Sequence, residues 1–142
     1  MQSLNDRVLI RAPLQAVFEY VTDPTKMAEW LPSMVEVHNV IGSGEGQQYD
    51  WVYKLAGMLF RGQSVVVTYV PNELCVHQSI GAVHSTWTFR VEPEEGGTRF
   101  DLDIVYEVPL PVLGKLAERV VASRGARTVA LALDNAKESL EA

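Results

Sequence analysis

Residues 74–108 read LCVHQSIGAVHSTWTFRVEPEEGGTRFDLDIVYEV, and the alternation in this stretch decides the fold. Three runs, Leu74 to Ile80, Val83 to Val91 and Thr98 to Val108, place apolar residues at every second position, the period of a half-buried strand. Only Gly81-Ala82 and Glu94-Glu95-Gly96-Gly97 interrupt them. Breaks this short join antiparallel neighbours. Glycine in first place suits a two-residue type II′ turn at Gly81-Ala82. That turn sets Ile80 opposite Val83, Gln78 opposite Ser85, Val76 opposite Trp87 and Leu74 opposite Phe89. Cross-strand partners share a face, so the second turn continues it with Val91 opposite Thr98, Phe89 opposite Phe100, Trp87 opposite Leu102 and Ser85 opposite Ile104, then Tyr106. The other face carries Cys75, His77 and Ser79, then Arg90, Arg99, Asp101 and Asp103. It reads as a solvated surface.

The flanks extend this pattern. Leu4 to Arg11 alternates, with Val8 and Ile10 on one side. Pro13 then opens a helix, where its missing N–H does no harm, and Val17, Phe18 and Val21 follow at helical spacing. Asp23-Pro24 starts a second short helix that carries Met27 and Trp30 and stops at Pro32. Period two returns with Val35, Val37 and Val40, with Tyr49, Trp51 and Tyr53, and with the valine-rich run from Phe60 to Val70. A four-residue loop, Ala56-Gly57-Met58-Leu59, puts Phe60, Ser64, Val66, Thr68 and Val70 inward, and a one-residue shift reverses that, which leaves Arg61 undecided. After Pro109 and Pro111 the period changes again. Leu113, Leu116, Val120, Val129, Leu133, Ala136 and Leu140 mark one long helix to the end, with Ser123-Arg124-Gly125 as a point where it could bend.

The expected fold is therefore α+β, of the helix-grip kind. A seven-stranded curved antiparallel sheet wraps a long C-terminal helix, with two short helices after the first strand. One helix must bury its apolar stripe on the only large surface available, the inner face of the sheet. Residues 1–142 read as a single domain.

Composition narrows the function. The chain has 142 residues, 47% of them hydrophobic, and a formal net charge of −6 without any basic run. Nucleic-acid binding needs clustered Lys and Arg, so it is not expected. A single cysteine, Cys75, excludes an internal disulfide and a cysteine-based zinc site. No signal peptide or membrane-length apolar run stands in the sequence, and the expected location is cytoplasmic. The stretch Gly42-Ser43-Gly44-Glu45-Gly46 lies between strands with no helix after it, so it reads as a turn and not a phosphate loop. His77 and His84 fall on the outer face and His38 in an early strand, so all three read as surface histidines and a histidine-based metal site is not expected. No metal and no cofactor are expected. Asp101 and Asp103 share a face with Arg90 and Arg99, the pattern of a cross-strand charge ladder.

Three stretches carry a resemblance. They are Ile10-Arg11-Ala12-Pro13 running into Val17-Phe18-Glu19-Tyr20-Val21-Thr22-Asp23-Pro24 and Trp30-Leu31-Pro32; Thr86-Trp87-Thr88-Phe89 with Gly96-Gly97-Thr98; and the tail Leu133-Asp134-Asn135-Ala136-Lys137-Glu138-Ser139-Leu140-Glu141. The chain resembles the polyketide cyclase/dehydrase and lipid-transport family (SRPBCC), part of the START and Bet v 1-like superfamily. The resemblance implies a deep cavity between sheet and C-terminal helix that takes lipids, sterols, polyketides or hormone-like molecules. It implies no universal catalytic motif.

The candidate ligand-binding residues come from the inner face: Trp51, Tyr53, Trp87, Phe89, Phe100, Leu102, Ile104 and Tyr106. Gln78 and Ser85 are its polar members, able to bond each other, a water or a ligand oxygen. Arg124 and Arg127 interrupt the apolar stripe of the last helix, where either would hold a carboxylate or phenolate if it faced the cavity. Ala126 and Ala130 leave room on that helix. No catalytic residue is named. The leading expectation is a carrier or sensor of a small hydrophobic molecule. An aromatase or cyclase acting in the same cavity is the alternative, and a protein-interaction module with an incidental cavity is the third. A homodimer is compatible with the sequence but not expected from it.

Overall fold

The computed structural model describes the backbone of residues 2–55, 57–81, 84–107 and 114–142, and the side chains of these except residues 55 and 114–122. Seven strands, β1 (Gln2–Ile10), β2 (Met34–Ile41), β3 (Gln48–Leu55), β4 (Met58–Val70), β5 (Leu74–Gly81), β6 (His84–Glu94) and β7 (Gly97–Glu107), form one antiparallel sheet. Their order is β1-β7-β6-β5-β4-β3-β2. Helix α1 (Leu14–Thr22), a 3₁₀ turn (Pro24–Lys26) and helix α2 (Met27–Trp30) follow β1, and helix α3 (Gly114–Glu141) follows β7. This is the helix-grip architecture expected from the alternation.

Local chemistry explains the short helices. Pro13 stands in extended backbone at the N-cap of α1. Asp23 caps the 3₁₀ turn, its carboxylate accepting from the Thr25 N–H at 2.9 Å and from the Thr25 hydroxyl at 2.7 Å. Trp30, at the end of α2, is fully buried and meets Phe89 and Phe100 edge-on, with ring centroids 6.4 and 5.8 Å away. Its carbonyl accepts from the Asn135 side chain at 3.2 Å, which ties α2 to α3. Helix α3 buries Val129, Ala132, Leu133 and Ala136. Near its end the Lys137 amine donates to the Leu9 carbonyl at 3.1 Å, and Glu141 accepts from the Arg11 N–H at 2.8 Å, so α3 is clamped along β1.

Register separates what the alternation foretold from what it missed. At β6–β7 the pairing slides by two: Val91 faces Phe100, Phe89 faces Leu102 and Trp87 faces Ile104. The turn is Glu95-Gly96, with Gly96 at φ 91°. A slide of two preserves the face, so Phe89, Phe100 and Leu102 are fully buried as expected, while Trp87 is only half-buried. Asp101 and Asp103 lie on the outer side, partly exposed. There Arg99 bridges Glu92 and Asp101, the latter at 3.2 Å.

At β5–β6 the slide is by one, and the face reverses. Ser79 faces Ser85, His77 faces Trp87 and Cys75 faces Phe89. The chain between Ser79 and Ser85 therefore has an odd number of residues, not the even number a two-residue turn gives; residues 82 and 83, part of the expected turn, lie outside the described residues. Cys75, His77 and Ser79 are buried inward, whereas Gln78 and Ile80 are exposed. At β3–β4, Leu55 faces Met58 and Tyr53 faces Phe60, a slide of two from the pairing a four-residue loop gives, which keeps the face; residue 56, part of the expected loop, lies outside the described residues. Arg61 is exposed. An irregularity between Val66 and Thr68 then changes the phase, so Tyr69 turns back onto α1, its ring 5.5 Å from Phe18, and Val70 stays exposed. Edge strand β2 carries two more irregularities, between Met34 and Glu36 and between His38 and Ile41.

The burial of Trp30 generates a test of the fold. Trp30→Ala removes the wedge between α2 and the sheet aromatics and should lower unfolding free energy by about 3 kcal/mol. Denaturant titration checks it, and an unchanged midpoint refutes the structural role.

Candidate functional site

A cavity of about 90 Å³ lies between the inner sheet face and α3. That is several times the ~10–15 Å³ one water needs. Trp51, Tyr53, Ser85, Trp87, Ile104 and Tyr106, all expected from the sequence, line it. Phe89, Phe100 and Leu102 do not: they lie deeper, packed with Trp30 in the solid core. Gln78 is on the outer face because of the one-residue shift. Arg124 and Arg127 are exposed, as are Ala126 and Ala130. The inward stripe of α3 runs through Ala136, Leu133, Ala132 and Val129 to Gly125, and a residue one position before or two after Gly125 points elsewhere on a 3.6-residue period.

Residues not named as candidates from the sequence complete the wall. Leu4 comes from β1, Met27 and Leu31 from around α2, Met34 from β2 and Phe60 from β4. Gly125 matters by its size: a Cβ there would sit 2.9 Å from a Leu4 methyl. Gly62 acts similarly, since a Cβ on it would fall 2.4 Å from the Trp51 ring. The indole therefore packs over Gly62, and its N–H reaches the Ser64 hydroxyl at 3.0 Å.

The polar groups of this apolar wall are ordered. Tyr49 pairs with Ser64, Ser64 with Ser79, Ser79 with Ser85 and Ser85 with Tyr106, so five hydroxyls stand in one row across five strands. All five residues line the cavity. The Trp87 indole N–H donates to Ser85 Oγ at 3.0 Å, and Ser79 and Ser85 share a short hydrogen bond. Tyr49 bonds His77 Nδ1 at 2.7 Å, and His77 Nε2 lies 3.2 Å from Cys75 Sγ. Tyr106 closes the row with a buried hydroxyl that has no hydrogen-bond partner among the described residues. Sequence reading named Ser85 and Tyr106, placed Tyr49 on the inward-facing alternation and Ser64 inward with a four-residue loop, and missed Ser79, together with His77 behind the row, because the misjudged β5–β6 step turned both outward.

Electrostatically the described part of the wall is neutral. Among the described residues no Asp, Glu, Lys or Arg lines the cavity, and no group of three His, Cys, Asp or Glu could hold a metal ion. Burial raises the phenols of Tyr49, Tyr53 and Tyr106 above their ordinary value, so all stay protonated near neutrality. It pushes the Cys75 thiol up to about 12 and the His77 imidazole down to about 3.

The depressed imidazole gives stability a pH dependence. An unfolded His77 protonates near 6.5, whereas the folded one stays neutral down to about 3. Its contribution is full above the unfolded value and is lost as pH falls from there toward 3. Between pH 6 and 4 the protein should lose on the order of 1 kcal/mol per pH unit from this group. Denaturation midpoints against pH check this: His77→Gln, which keeps hydrogen bonding but cannot titrate, should flatten the slope.

Comparison with known proteins places the architecture. A Thermus thermophilus protein, TTHA0849, superposes with a TM-score of 0.86 at 20% identity, covering 98% of this chain and 97% of that one. The Zhui aromatase/cyclase from Streptomyces sp. R1128 gives 0.77 at 18%, covering 99% and 93%. CV1439 from Chromobacterium violaceum gives 0.77 at 14%, covering 99% and 97%. Identities this low establish a shared fold. No curated protein matches the chain in sequence. No helix among the described residues is long and apolar enough to cross a membrane. The family described as polyketide cyclase / dehydrase and lipid transport matches residues 1–141, and with the helix-grip architecture in place the chain belongs to that family.

Proposed function

We propose that this chain binds a small, mostly apolar molecule carrying oxygen atoms, of the aromatic or polyketide type, and acts as its carrier or sensor. The reading takes residues 1–142 as one binding unit. The observation that carries it is the hydroxyl row on an apolar wall. Aromatic and aliphatic side chains drive an apolar skeleton out of water, while a few aligned hydroxyls fix where its oxygens sit. Tyr106 carries particular weight. A buried hydroxyl without a partner costs free energy, and a ligand oxygen supplies the missing bond. Catalysis by proton transfer would call for a group that titrates near neutrality, and among the described residues the cavity wall offers neutral phenols and serines instead. Binding is therefore favoured over cyclisation.

Two sets of variants test this with 1-anilinonaphthalene-8-sulfonate as probe. Val129→Phe fills the cavity from α3 and should weaken probe binding at least about tenfold, at a stability cost of roughly 1–3 kcal/mol. Ala126→Phe and Ala130→Phe, on the exposed side, should leave binding unchanged; equal effects from all three would refute the location. Tyr106→Phe separates structure from function. Removing an unpaired buried hydroxyl should hold or raise stability of the empty protein, yet weaken 1-naphthol roughly tenfold. Equal naphthol affinity in Tyr106→Phe and wild type would remove Tyr106 from the site.

A further inference from the structure

The hydroxyl row has a tail that leads into the core. Starting from the cavity wall, Ser64 stands opposite Tyr49 on the β3–β4 ladder, Tyr49 meets His77 Nδ1 at 2.7 Å, and His77 Nε2 meets Cys75 Sγ at 3.2 Å. The Trp51 N–H holds Ser64 from the side at 3.0 Å. Trp51 can only donate, so one lone pair of Ser64 is always occupied. Tyr49, Cys75 and His77 are buried, with exposures of 4%, 1% and 1%. Burial keeps the imidazole neutral and the thiol protonated at ordinary pH. A neutral imidazole has one donor and one acceptor nitrogen. The chain therefore has two self-consistent directions.

In the first, the Ser64 hydroxyl donates to Tyr49, Tyr49 donates to His77 Nδ1, and the Nε2–H donates to the Cys75 sulfur. Ser64 then turns its remaining lone pair to the cavity as an acceptor. In the second, the Cys75 S–H donates to Nε2, the Nδ1–H donates to Tyr49, and Tyr49 donates to Ser64. Ser64 then turns its own O–H to the cavity as a donor. Both arrangements keep the same protons on the same four residues. They differ in which ring nitrogen is protonated and in how the O–H and S–H bonds are rotated. Neither creates a charge, which a buried site would penalise heavily.

We propose that Cys75–His77–Tyr49–Ser64 is a reversible hydrogen-bond wire that lets the cavity present either a donor or an acceptor at one point, so that it accepts a ligand oxygen as carbonyl or as hydroxyl. The ligand class is thus one whose members carry either form or interconvert between them. This rests on the cavity being a binding site, as argued above. His77 and Cys75 touch no ligand in this scheme; they are positioning residues for Ser64.

Two bicyclic probes of similar size separate the directions: 1-indanone, which only accepts, and indole, which only donates. Long-range ¹H–¹⁵N correlation on histidine-labelled protein reads the His77 tautomer, and calorimetry reads binding. Saturation with 1-indanone should drive His77 to the Nδ1–H form, and saturation with indole to the Nε2–H form. Cys75→Ala strands a buried N–H in the first direction but only a lone pair in the second, and stranded N–H groups are the rarer case in folded proteins. It should therefore shift the affinity ratio toward 1-indanone by roughly three- to tenfold. Ser64→Ala should uncouple the wire, leaving one tautomer with either probe. The same tautomer with both probes in wild type, with both bound, overturns the wire while the binding site stands. Binding of neither probe overturns the binding site, and the wire with it.

Discussion

One α-helix is about 10–12 Å across, and a sheet of seven strands about 4.8 Å apart presents a face roughly 30 Å wide. That mismatch governs the molecule. Helix α3 covers β1 and the neighbouring part of the face, clamped there by Lys137 and Glu141. Helices α1 and α2 cover another part through Val17, Phe18, Met27 and Trp30. The remaining apolar surface is left over a cavity. Phe89 and Phe100, stacked 6.3 Å apart under Trp30, hold the solid part rigid. Trp51 and Trp87 mark where packing stops and open space begins.

Within that space the sheet ladder does what single side chains could not. Cross-strand pairing sets residues on neighbouring strands close together on one face, so hydroxyls occupying matched positions on five strands must form a line. The line needs no loop to shape it and is as rigid as the ladder itself. Two indoles steady it, each donating to a serine, which leaves the serine protons to be directed by other neighbours. Specificity at such a wall comes from which atoms are donors, since shape is contributed by apolar groups that tolerate many skeletons.

Most of the architecture was legible in the sequence because it follows from periods. Period two named the strands, Pro13, Asp23 and Pro24 placed the helix starts, and six of the cavity residues followed from face alone. What escaped was parity. The connection after Ile80 has an odd residue count between paired serines, and glycine at position 81 suits more than one loop length. One residue of error turned His77 and Ser79 outward and Gln78 inward. The irregularity near Val67 has the same origin, since a bulge carries no strong sequence mark. Arg124 and Arg127 failed for another reason. The stripe set by Val129, Leu133 and Ala136 extrapolates to Gly125, but a glycine reads as a weak point in a helix, not as a contact.

The pairing of β1 with β7 sets Leu4 beside Ile104 and Val8 beside Phe100. Contacts between residues so far apart in sequence slow folding, because the loop must close before any bond rewards it. The meander from β3 through β7 grows by local hairpins, each adding to the last. Strand β1 has no such local partner and waits for the other edge to be made. Helix α3 rests on β1, so it too lacks its seat until then. The cavity is therefore complete only once β1 and α3, from opposite ends of the sequence, have come together.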